Sequence, residues 1–334
     1  MDIPTWVWLA TAVGVVGLIF FDFFAHVRTP HAPTFSESAR WSVFYIALAL
    51  LFGVVVGGVW GWGSGTEYFA GYVTEKSLSV DNLFVFLIIM TKFAVPREFQ
   101  QKVLLVGVAI ALVLRTIFIL LGAAAIEQFS WVFYLFGAFL VYTAIKLVRE
   151  HGDDEPDEKT GNGFAVRTLK RFVPTTDEYH GDKLTTTIDG KRFLTPMLVV
   201  MVAIGSTDIL FALDSIPAIY GLTTEPYIVF TANAFALLGL RQLYFLIGGL
   251  LERLVYLSQG LSVILGFIGT KLVLHALHVN ELPFINGGEH VGWAPEIPIW
   301  LSLTVILGTL AIATVASLIR TRRDAAAEVE ASGV

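Results

Sequence analysis

Nine apolar stretches, each about as long as a lipid bilayer is thick, constrain this chain more than any other feature. The hydrocarbon core of a bilayer measures about 30 Å, so a helix needs roughly 20 apolar residues to cross it. Only 15% of the residues are charged, against about a quarter in soluble domains. The sequence therefore predicts an all-α, polytopic membrane protein with about nine transmembrane helices in the lipid bilayer. The stretches lie approximately at 5–25, 41–63, 67–91, 100–124, 129–148, 196–220, 227–249, 255–277 and 297–319.

The Lys and Arg residues predict how these helices are oriented. Five of the 22 lie inside the apolar stretches, and the other 17 all lie in alternate connections, beginning after the first stretch and ending with the C-terminal tail. Because cytoplasmic connections are enriched in Lys and Arg, we expect the N-terminus outside and the C-terminus in the cytoplasm. Asp2 precedes the first stretch and no basic residue does, so a cleavable signal peptide is not expected.

The connection at 150–195 is long and is predicted to be cytoplasmic. Its early part, HGDDEPDEKTGNG, is acidic and contains glycines, which is typical of a flexible linker. Its last part, TTTIDGKRFL at 185–194, has an Asp-Gly pair between two β-favouring runs, which indicates a small hairpin. An ordinary solvated connector is the alternative.

Spans 3–5 resemble spans 6–8, which indicates an internal repeat. TEKSLSVDN at 74–82 matches TDILFALDS at 207–215, LRTIFILLG at 114–122 matches LRQLYFLIG at 240–248, and LVYTAIKLV at 140–148 matches LGFIGTKLV at 265–273. Each unit of three helices thus carries two acids, one Arg and one Lys in the same order. Since three is odd, the units must insert with opposite orientations, as the inverted repeats of transporters do.

The repeat divides the chain into five parts. Two N-terminal helices occupy 1–65, and the first three-helix unit occupies 66–149. The cytoplasmic connection occupies 150–195, and the second three-helix unit occupies 196–278. The last part, 279–334, holds an external loop, the last helix and the tail.

Four carboxylates lie inside the spans, where each costs roughly 2.5–3.5 kcal/mol if nothing compensates its charge. They are Glu75, Asp81, Asp208 and Asp214. Residues seven apart lie on nearly the same face of a helix, so Glu75 shares a face with Asn82 and Asp208 shares a face with Ser215. If the two helices cross near their midpoints, these oxygen ligands converge.

A bound cation, protons or intramembrane bases can offset the four charges. Oxygen ligands in a chain without cysteine suit a hard or borderline divalent cation such as Mn²⁺, Mg²⁺ or Ca²⁺, with Asn82 and Ser215 as neutral ligands. The alternative is that the acids only pair with bases and hold the bundle together. We interpret four bases inside the spans as gating or charge-pairing residues: Arg115, Arg241, Lys146 and Lys271.

Three further features bear on ion binding. Asp22 lies near the cytoplasmic end of the first span, where it is either a solvated carboxylate or a first metal ligand for the entering ion. Pro217 cannot donate to the carbonyl of Leu213, which predicts a broken helix with free carbonyls. Five side chains outside the membrane are candidates for a second metal site, although their spacing matches no motif: His275, His278, Glu281, Glu289 and His290.

Several stretches resemble the TerC/Alx family of membrane proteins. EKSLSVDNLFVF at 75–86 and TDILFALDSIPAI at 207–219 are similar to its two signature blocks, and RFVPTTDEYHG at 171–181 and TANAFALLGLRQLYFL at 231–246 are similar as well. The resemblance runs from about residue 5 to 320. It implies membership of the LysE-like transporter superfamily, manganese efflux, and a location in the bacterial inner membrane.

The resemblance also implies which residues bind the ion. Glu75, Asp81 and Asn82 match the first acidic block, Asp208 and Asp214 match the second, and Asp22 matches an acid in the first span of the family. Many relatives carry a Glu where this chain has Gly205. That departure removes one carboxylate from the expected ligands.

We therefore interpret the chain as an exporter of divalent cations, with Mn²⁺ as the first candidate, driven by proton antiport. The alternative is a non-transporting membrane scaffold in envelope stress or tellurite resistance. The sequence has no HExxH or GxSxG motif, so an intramembrane enzyme is not expected. It has no resident cofactor signal and no nucleic-acid signal.

The predicted orientation can be tested with reporter fusions. Green fluorescent protein fused after Val334 should fluoresce, because the tail that follows Arg320 is predicted to be cytoplasmic. Alkaline phosphatase inserted between His275 and Glu296 should be active, because that loop is predicted to be external. Exchanging the two reporters provides the control, and a fluorescent reporter in the external loop would contradict the orientation.

Overall fold

The protein is an all-α, polytopic membrane protein, as the sequence predicts. A computed structural model describes residues 3–27, 31–129, 131–149, 174–176, 178–188, 191–247, 255–283 and 285–332. The side chains of some residues within these ranges, among them Asp81 and Asp214, are not described. The acidic stretch predicted to be a flexible linker lies outside the described residues.

The described part of the chain contains ten α-helices, one short 3₁₀-helix (Asn286–Gly288) and one β-hairpin. The first helix, α1, runs over Thr5–Asp22 and continues into a π-helical turn at Phe23–Val27. The hairpin consists of β1 (Thr185–Ile188) and β2 (Lys191–Leu194). The other helices are α2 (Phe35–Trp60), α3 (Trp62–Lys92), α4 (Arg97–Gln128), α5 (Val132–Arg149), α6 (Pro196–Tyr220), α7 (Pro226–Leu237), α8 (Leu240–Ile247), α9 (Leu257–His278) and α10 (Ile299–Ser332).

Eight segments of the described chain are long and apolar enough to cross a membrane. Seven are single helices, namely α1, α2, α4, α5, α6, α9 and α10, and the eighth consists of α7 and α8 together. Their exposed surfaces carry large apolar side chains, for example Val13, Val43 and Ile312, as a surface in contact with lipid requires. The remaining long helix, α3, has 31 residues but also carries Glu67, Glu75, Lys76 and Asp81. Thr74 and Glu75 in its middle are fully buried. Charged residues within a membrane face protein rather than lipid, so α3 is the ninth predicted span.

A one-residue connection joins α2 to α3. Gly61 has a φ of +94°, a backbone conformation that glycine adopts without strain. A Cβ on Gly65 would lie only 2.9 Å from the Cα of Gly57, so the two helices approach backbone to backbone directly after the turn.

The first and second three-helix units pack against each other through α3 and α7. A Cβ on Gly71 would lie 3.2 Å from the Cβ of Ala232. About one turn further along both helices, the Lys76 ammonium donates to the carbonyl of Ala236 at 3.0 Å. The second contact is closer to the C-terminus than the first on both helices, so α3 and α7 are parallel.

A second pair of helices, α4 and α6, is also parallel. A Cβ on Gly107 would lie 2.8 Å from Ile204, and a Cβ on Gly122 would lie 3.1 Å from the ring of Tyr220. The Tyr220 hydroxyl donates to the carbonyl of Ile119 at 2.6 Å. Since consecutive spans cross the membrane in opposite directions, α3 and α6 run in opposite directions.

The third pair, α5 and α9, is antiparallel. Gly137 packs against Val273 near the start of α5, whereas Ala144 packs against Gly266 near its end. The two backbones can touch here because glycine has no side chain. A Cβ on Gly137 would lie 2.8 Å from the carbonyl oxygen of Gly269.

The span predicted at 227–249 consists of two helices with a break between them. Leu238 is extended, with ψ of 130°, and Gly239 has a φ of +83°. Lys76 donates to the freed carbonyls of Ala236 and Leu238 at 3.0 and 3.5 Å. The break predicted at Pro217 is wrong, because α6 continues to Tyr220.

The hairpin indicated by the Asp-Gly pair forms, with Thr185 opposite Leu194. The connection that precedes it is attached to the turn between α3 and α4. The Tyr179 hydroxyl donates to the carbonyl of Phe93 at 2.7 Å, and the Lys102 ammonium donates to Asp182 at 2.7 Å. That ammonium holds the pKa of the Asp182 carboxyl below its ordinary range.

The close contact between α5 and α9 predicts that Gly137→Val destabilises the protein. Overpacking typically costs about 1–3 kcal/mol, and the new side chain would meet backbone atoms that cannot rotate away. Thermal unfolding in detergent, followed by intrinsic fluorescence, should show a melting temperature several degrees lower. Gly308→Val is the matched control, because a Cβ there meets nothing within 4 Å. Equal melting temperatures for both variants would contradict the contact.

Candidate functional site

Arg115 of α4 is fully buried and binds acids from two other helices. Its Nε and Nη2 donate to the two carboxylate oxygens of Asp208 on α6 at 3.1 and 3.0 Å. Its Nη1 donates to the Ser215 hydroxyl at 3.3 Å and forms an ion pair with Oε1 of Glu75 on α3. None of the four residues is more than 2% exposed. We call Glu75, Arg115, Asp208 and Ser215 the central cluster.

The central cluster joins the two three-helix units near the middle of their helices. The bidentate contact between Arg115 and Asp208 is the strong geometry for an ion pair, and burial strengthens it. With both acids ionised, two negative charges face one guanidinium. Oε2 of Glu75 is buried and has no hydrogen-bond partner in the described part of the chain. An unpaired buried carboxylate oxygen is costly, so this oxygen is suited to receive a cation or a proton.

The other predicted ligands are placed only in part. Asn82 is buried on α3, with 5% of its surface exposed. The side chains of Asp81 and Asp214 lie outside the described set. Among the side chains that the structure does describe, no group of three His, Asp or Glu residues could hold a metal ion. The metal site therefore stays a prediction, and it requires neutral ligands or the two undescribed acids.

A second buried cluster lies where α1 ends and α4 begins. Nε and Nη2 of Arg241 on α8 donate to Asp22 at 3.1 and 2.7 Å. Nη1 of Arg241 donates to the Gln101 side chain, and the Gln242 amide donates to Asp22 at 3.1 Å. Asp22 is 5% exposed, so the expectation of a solvated carboxylate is wrong: α4 and α8 cover that end of α1. We call these four residues the Asp22 cluster.

The two arginines matched by sequence have different partners. Arg115 contacts the acids matched in the repeat, Glu75 and Asp208, whereas Arg241 contacts Asp22 outside either unit. The helix break at Gly239 lies two residues before Arg241, and α4 is continuous at the corresponding place before Arg115. The guanidinium of Arg241 therefore points in a different direction from that of Arg115, and the helix break is found only before Arg241 of the two.

Among the residues that the structure describes, the cavities at the two ends of the bundle differ in size. Two cavities of about 250 and 420 Å³ lie where α3 begins and α6 ends, which we call the open end. Both are lined by Lys271 and His275, with Glu67 and Glu296 contributing one wall each. The pocket beside the Asp22 cluster measures about 10 Å³. We call that opposite end the closed end.

The remaining predicted bases are not part of the two clusters. The Lys271 ammonium donates to the Ser302 hydroxyl on α10 at 3.2 Å. Lys146 is half-buried on α5. Both positions match by sequence, yet neither contributes a described contact to Glu75 or Asp208.

The five candidates for an external metal site are spread out. His278 contacts Glu296 at 3.2 Å, and the His290 ring bonds to the carbonyl of His278 at 2.7 Å. The His275 ring packs edge-on against a phenylalanine of α5, and Glu281 and Glu289 are exposed. In the described part of this loop, three ligands do not come together.

The sequence interpretation assigned no role to four polar residues inside the bundle. Lys76 binds the carbonyls at the helix break, and Gln101 and Gln242 complete the Asp22 cluster. Asn233 on α7 is fully buried, and both polar atoms of its amide are without a hydrogen-bond partner among the described residues. For the three amides, the available signal was a polar side chain within an apolar stretch.

Comparisons with known proteins agree on one family. Residues 60–325 match the profile of the Integral membrane protein TerC family. An uncharacterized membrane protein of Mycobacterium tuberculosis (strain ATCC 25618 / H37Rv) is 53% identical over 312 residues, which cover 93% of this chain and 78% of the relative. An uncharacterized membrane protein of Myxococcus xanthus is 38% identical over 328 residues, 98% of this chain and 96% of the relative.

A third relative carries a functional name. The "Putative membrane-bound redox modulator Alx" of Escherichia coli (strain K12) is 37% identical over 315 residues, which cover 91% of each chain. No solved structure matches the chain.

The central cluster predicts that Arg115→Leu destabilises the protein. Removing one partner of a buried ion pair typically costs about 3–5 kcal/mol, because the other charge stays buried without compensation. The melting temperature in detergent should fall sharply, and the triple variant Arg115→Leu, Glu75→Gln, Asp208→Asn should recover most of the loss. Arg40→Leu, at an exposed arginine, is the control. An unchanged melting temperature for Arg115→Leu would mean that the cluster does not hold the units together.

Proposed function

The chain belongs to the TerC family of integral membrane proteins, and from this premise we propose that it exports divalent cations from the cytoplasm, with Mn²⁺ as substrate, in exchange for protons. The observation that carries the proposal is the convergence of Glu75 and Asp208 on Arg115. The two acids come from different three-helix units, and one of their oxygens has no described partner.

The packing of the two units supports a transporter. We propose that they form an inverted repeat, as the matched sequence blocks predict. Helix α3 pairs with α7 and α4 pairs with α6, while α5 and α9 run antiparallel to each other. A two-fold axis in the membrane plane would produce this arrangement. It would exchange the pair α3–α7 with the pair α4–α6, and it would map the pair α5–α9 onto itself. Transporters built in this way bind substrate near the midplane, where the units meet.

The broken helix adds a second feature typical of transporters. Irregular backbone at membrane depth is tolerated only where protein or a cavity satisfies it, and here Lys76 supplies the hydrogen bonds. Discontinuous helices commonly border the substrate site in such proteins. The segment from Pro226 to Leu246 is almost wholly buried, so the break lies inside the protein.

The unequal ends support alternating access. In our proposal the closed end faces the cytoplasm, as the distribution of Lys and Arg predicts, and the Asp22 cluster forms its gate. Export then requires the contact between Asp22 and Arg241 to open, so that a cation can reach the central cluster. The cavities at the open end, beside Glu67 and Glu296, provide its exit.

The donor atoms favour a hard or borderline cation. Carboxylate, hydroxyl and amide oxygens suit Mn²⁺, Mg²⁺ and Ca²⁺, and a chain without cysteine offers no thiolate for softer metals. Asp81 and Asp214 lie one to two turns beyond Glu75 and Asp208 on the same helices, and Asn82 lies beside Asp81. Protons replace the cation on the carboxylates in the return step.

The name of the Escherichia coli relative points to a different class, a redox modulator. Any redox role of the present chain would not use its own thiols, because it contains no cysteine. A non-transporting scaffold is the remaining alternative, and it requires no cation to cross the membrane.

Transport into inverted membrane vesicles tests the proposal. Vesicles that contain the wild-type chain should accumulate Mn²⁺ when a proton gradient is imposed, and an uncoupler should abolish the uptake. Glu75→Gln and Asp208→Asn should each lower the rate at least tenfold, because each removes a charge from the proposed site. Asp81→Asn and Asp214→Asn should do the same.

The matched control is Glu98→Gln, which removes an exposed carboxylate at the start of α4. Its uptake should equal that of the wild type at equal protein content. Wild-type vesicles that take up no more Mn²⁺ than empty ones would contradict the proposal, and so would unchanged uptake in all four acid variants.

A further inference from the structure

We propose that Asn233 of α7 is a ligand of the transported cation, together with Thr74 and Glu75 of α3. This inference rests on the proposed function and extends it to a residue in the second helix of the second unit. It also assigns the cation to the interface between α3 and α7, on the side of Glu75 away from Arg115.

Contacts along the two parallel helices place the three residues at one level. Gly71 packs against Ala232, and Lys76 binds the carbonyl of Ala236. Thr74 and Glu75 lie between the two α3 contacts, and Asn233 lies between the two α7 contacts. At a rise of 1.5 Å per residue, Asn233 is offset from Thr74 by only ~3 Å along the helix axes.

All three residues are fully buried, and each has a polar atom without a described partner. These atoms are the hydroxyl of Thr74, Oε2 of Glu75, and both the oxygen and the nitrogen of the Asn233 amide. The contrast with neighbouring Thr231 is direct. The hydroxyl of Thr231 is equally buried, but it donates to the carbonyl of Tyr227 in its own helix at 2.8 Å.

The unpaired atoms form a chemically consistent set. Buried polar groups in native proteins are nearly always paired, and an unpaired amide in an apolar helix lowers stability. One carboxylate, one hydroxyl and one amide oxygen are ligands that hard divalent cations accept. Arg115 already occupies Oε1 of Glu75, which leaves Oε2 for the cation. The guanidinium thus fixes the carboxylate without filling the site.

Binding of Mn²⁺ alone to the purified full-length chain in lipid nanodiscs tests this assignment. The fraction of free Mn²⁺ is measured by electron paramagnetic resonance, and uptake is measured in vesicles. Asn233→Leu should weaken Mn²⁺ binding at least tenfold. Asn233→Asp keeps an oxygen ligand and adds a charge, so it should tighten binding at least threefold. Thr231→Val should bind within twofold of the wild type.

The outcomes separate this inference from the proposed function. Wild-type protein that neither binds nor transports Mn²⁺ would overturn both. Wild-type activity combined with Asn233→Leu and Asn233→Asp affinities within twofold of the wild type would overturn only the role of Asn233. If Asn233→Leu does not fold, as judged by size-exclusion chromatography, Asn233→Asp decides: an unchanged affinity in the folded variant overturns the inference.

Discussion

The structure depends on how carboxylates buried in a membrane are neutralised. Each costs several kilocalories per mole in an apolar bundle, and the protein compensates by bringing acids from separate helices to one guanidinium. Arg115 binds Asp208 in the bidentate geometry and reaches Glu75 on a third helix. This one side chain therefore connects α3, α4 and α6, which belong to both three-helix units. In the Asp22 cluster near the closed end, Arg241 likewise pairs with a buried carboxylate, here a single one.

The same interaction gives the proposed site its charge. In our proposal, Arg115 offsets the charge of one of the two carboxylates, and the charge of the other is left for the cation. Lys76 contributes differently, because its ammonium is directed to backbone carbonyls at the helix break. On α3 and α7, buried polar atoms without described partners remain on Thr74, Glu75 and Asn233, and other such atoms lie on α2, α8 and α9. In our proposal, Thr74, Glu75 and Asn233 bind the cation where the two units meet.

The sequence predicted the helical class, the spans and the burial of Glu75 and Asp208, because a lipid environment allows few alternatives. A run of apolar residues must form a helix there, and an intramembrane charge must face protein. The partners of those charges could not be predicted. Arg115 and Arg241 occupy matched positions in the repeat, yet Arg115 binds Glu75 and Asp208 whereas Arg241 binds Asp22. The difference accompanies a helix break at Gly239, whereas the break expected at Pro217 does not form. Asn233 was missed because a lone amide carries no charge, although it lies in the stretch at 231–246 that resembles the family.

Anomalous diffraction from crystals grown in Mn²⁺ tests the central claim most directly, since it locates the ion without reference to activity. The account predicts a peak inside the membrane between α3 and α7, with Oε2 of Glu75 within about 2.0–2.6 Å, the range for oxygen ligands of hard divalent cations. A peak only among His278, His290 and Glu296, with Arg115 still bound to both acids and nothing beside Glu75, would contradict it.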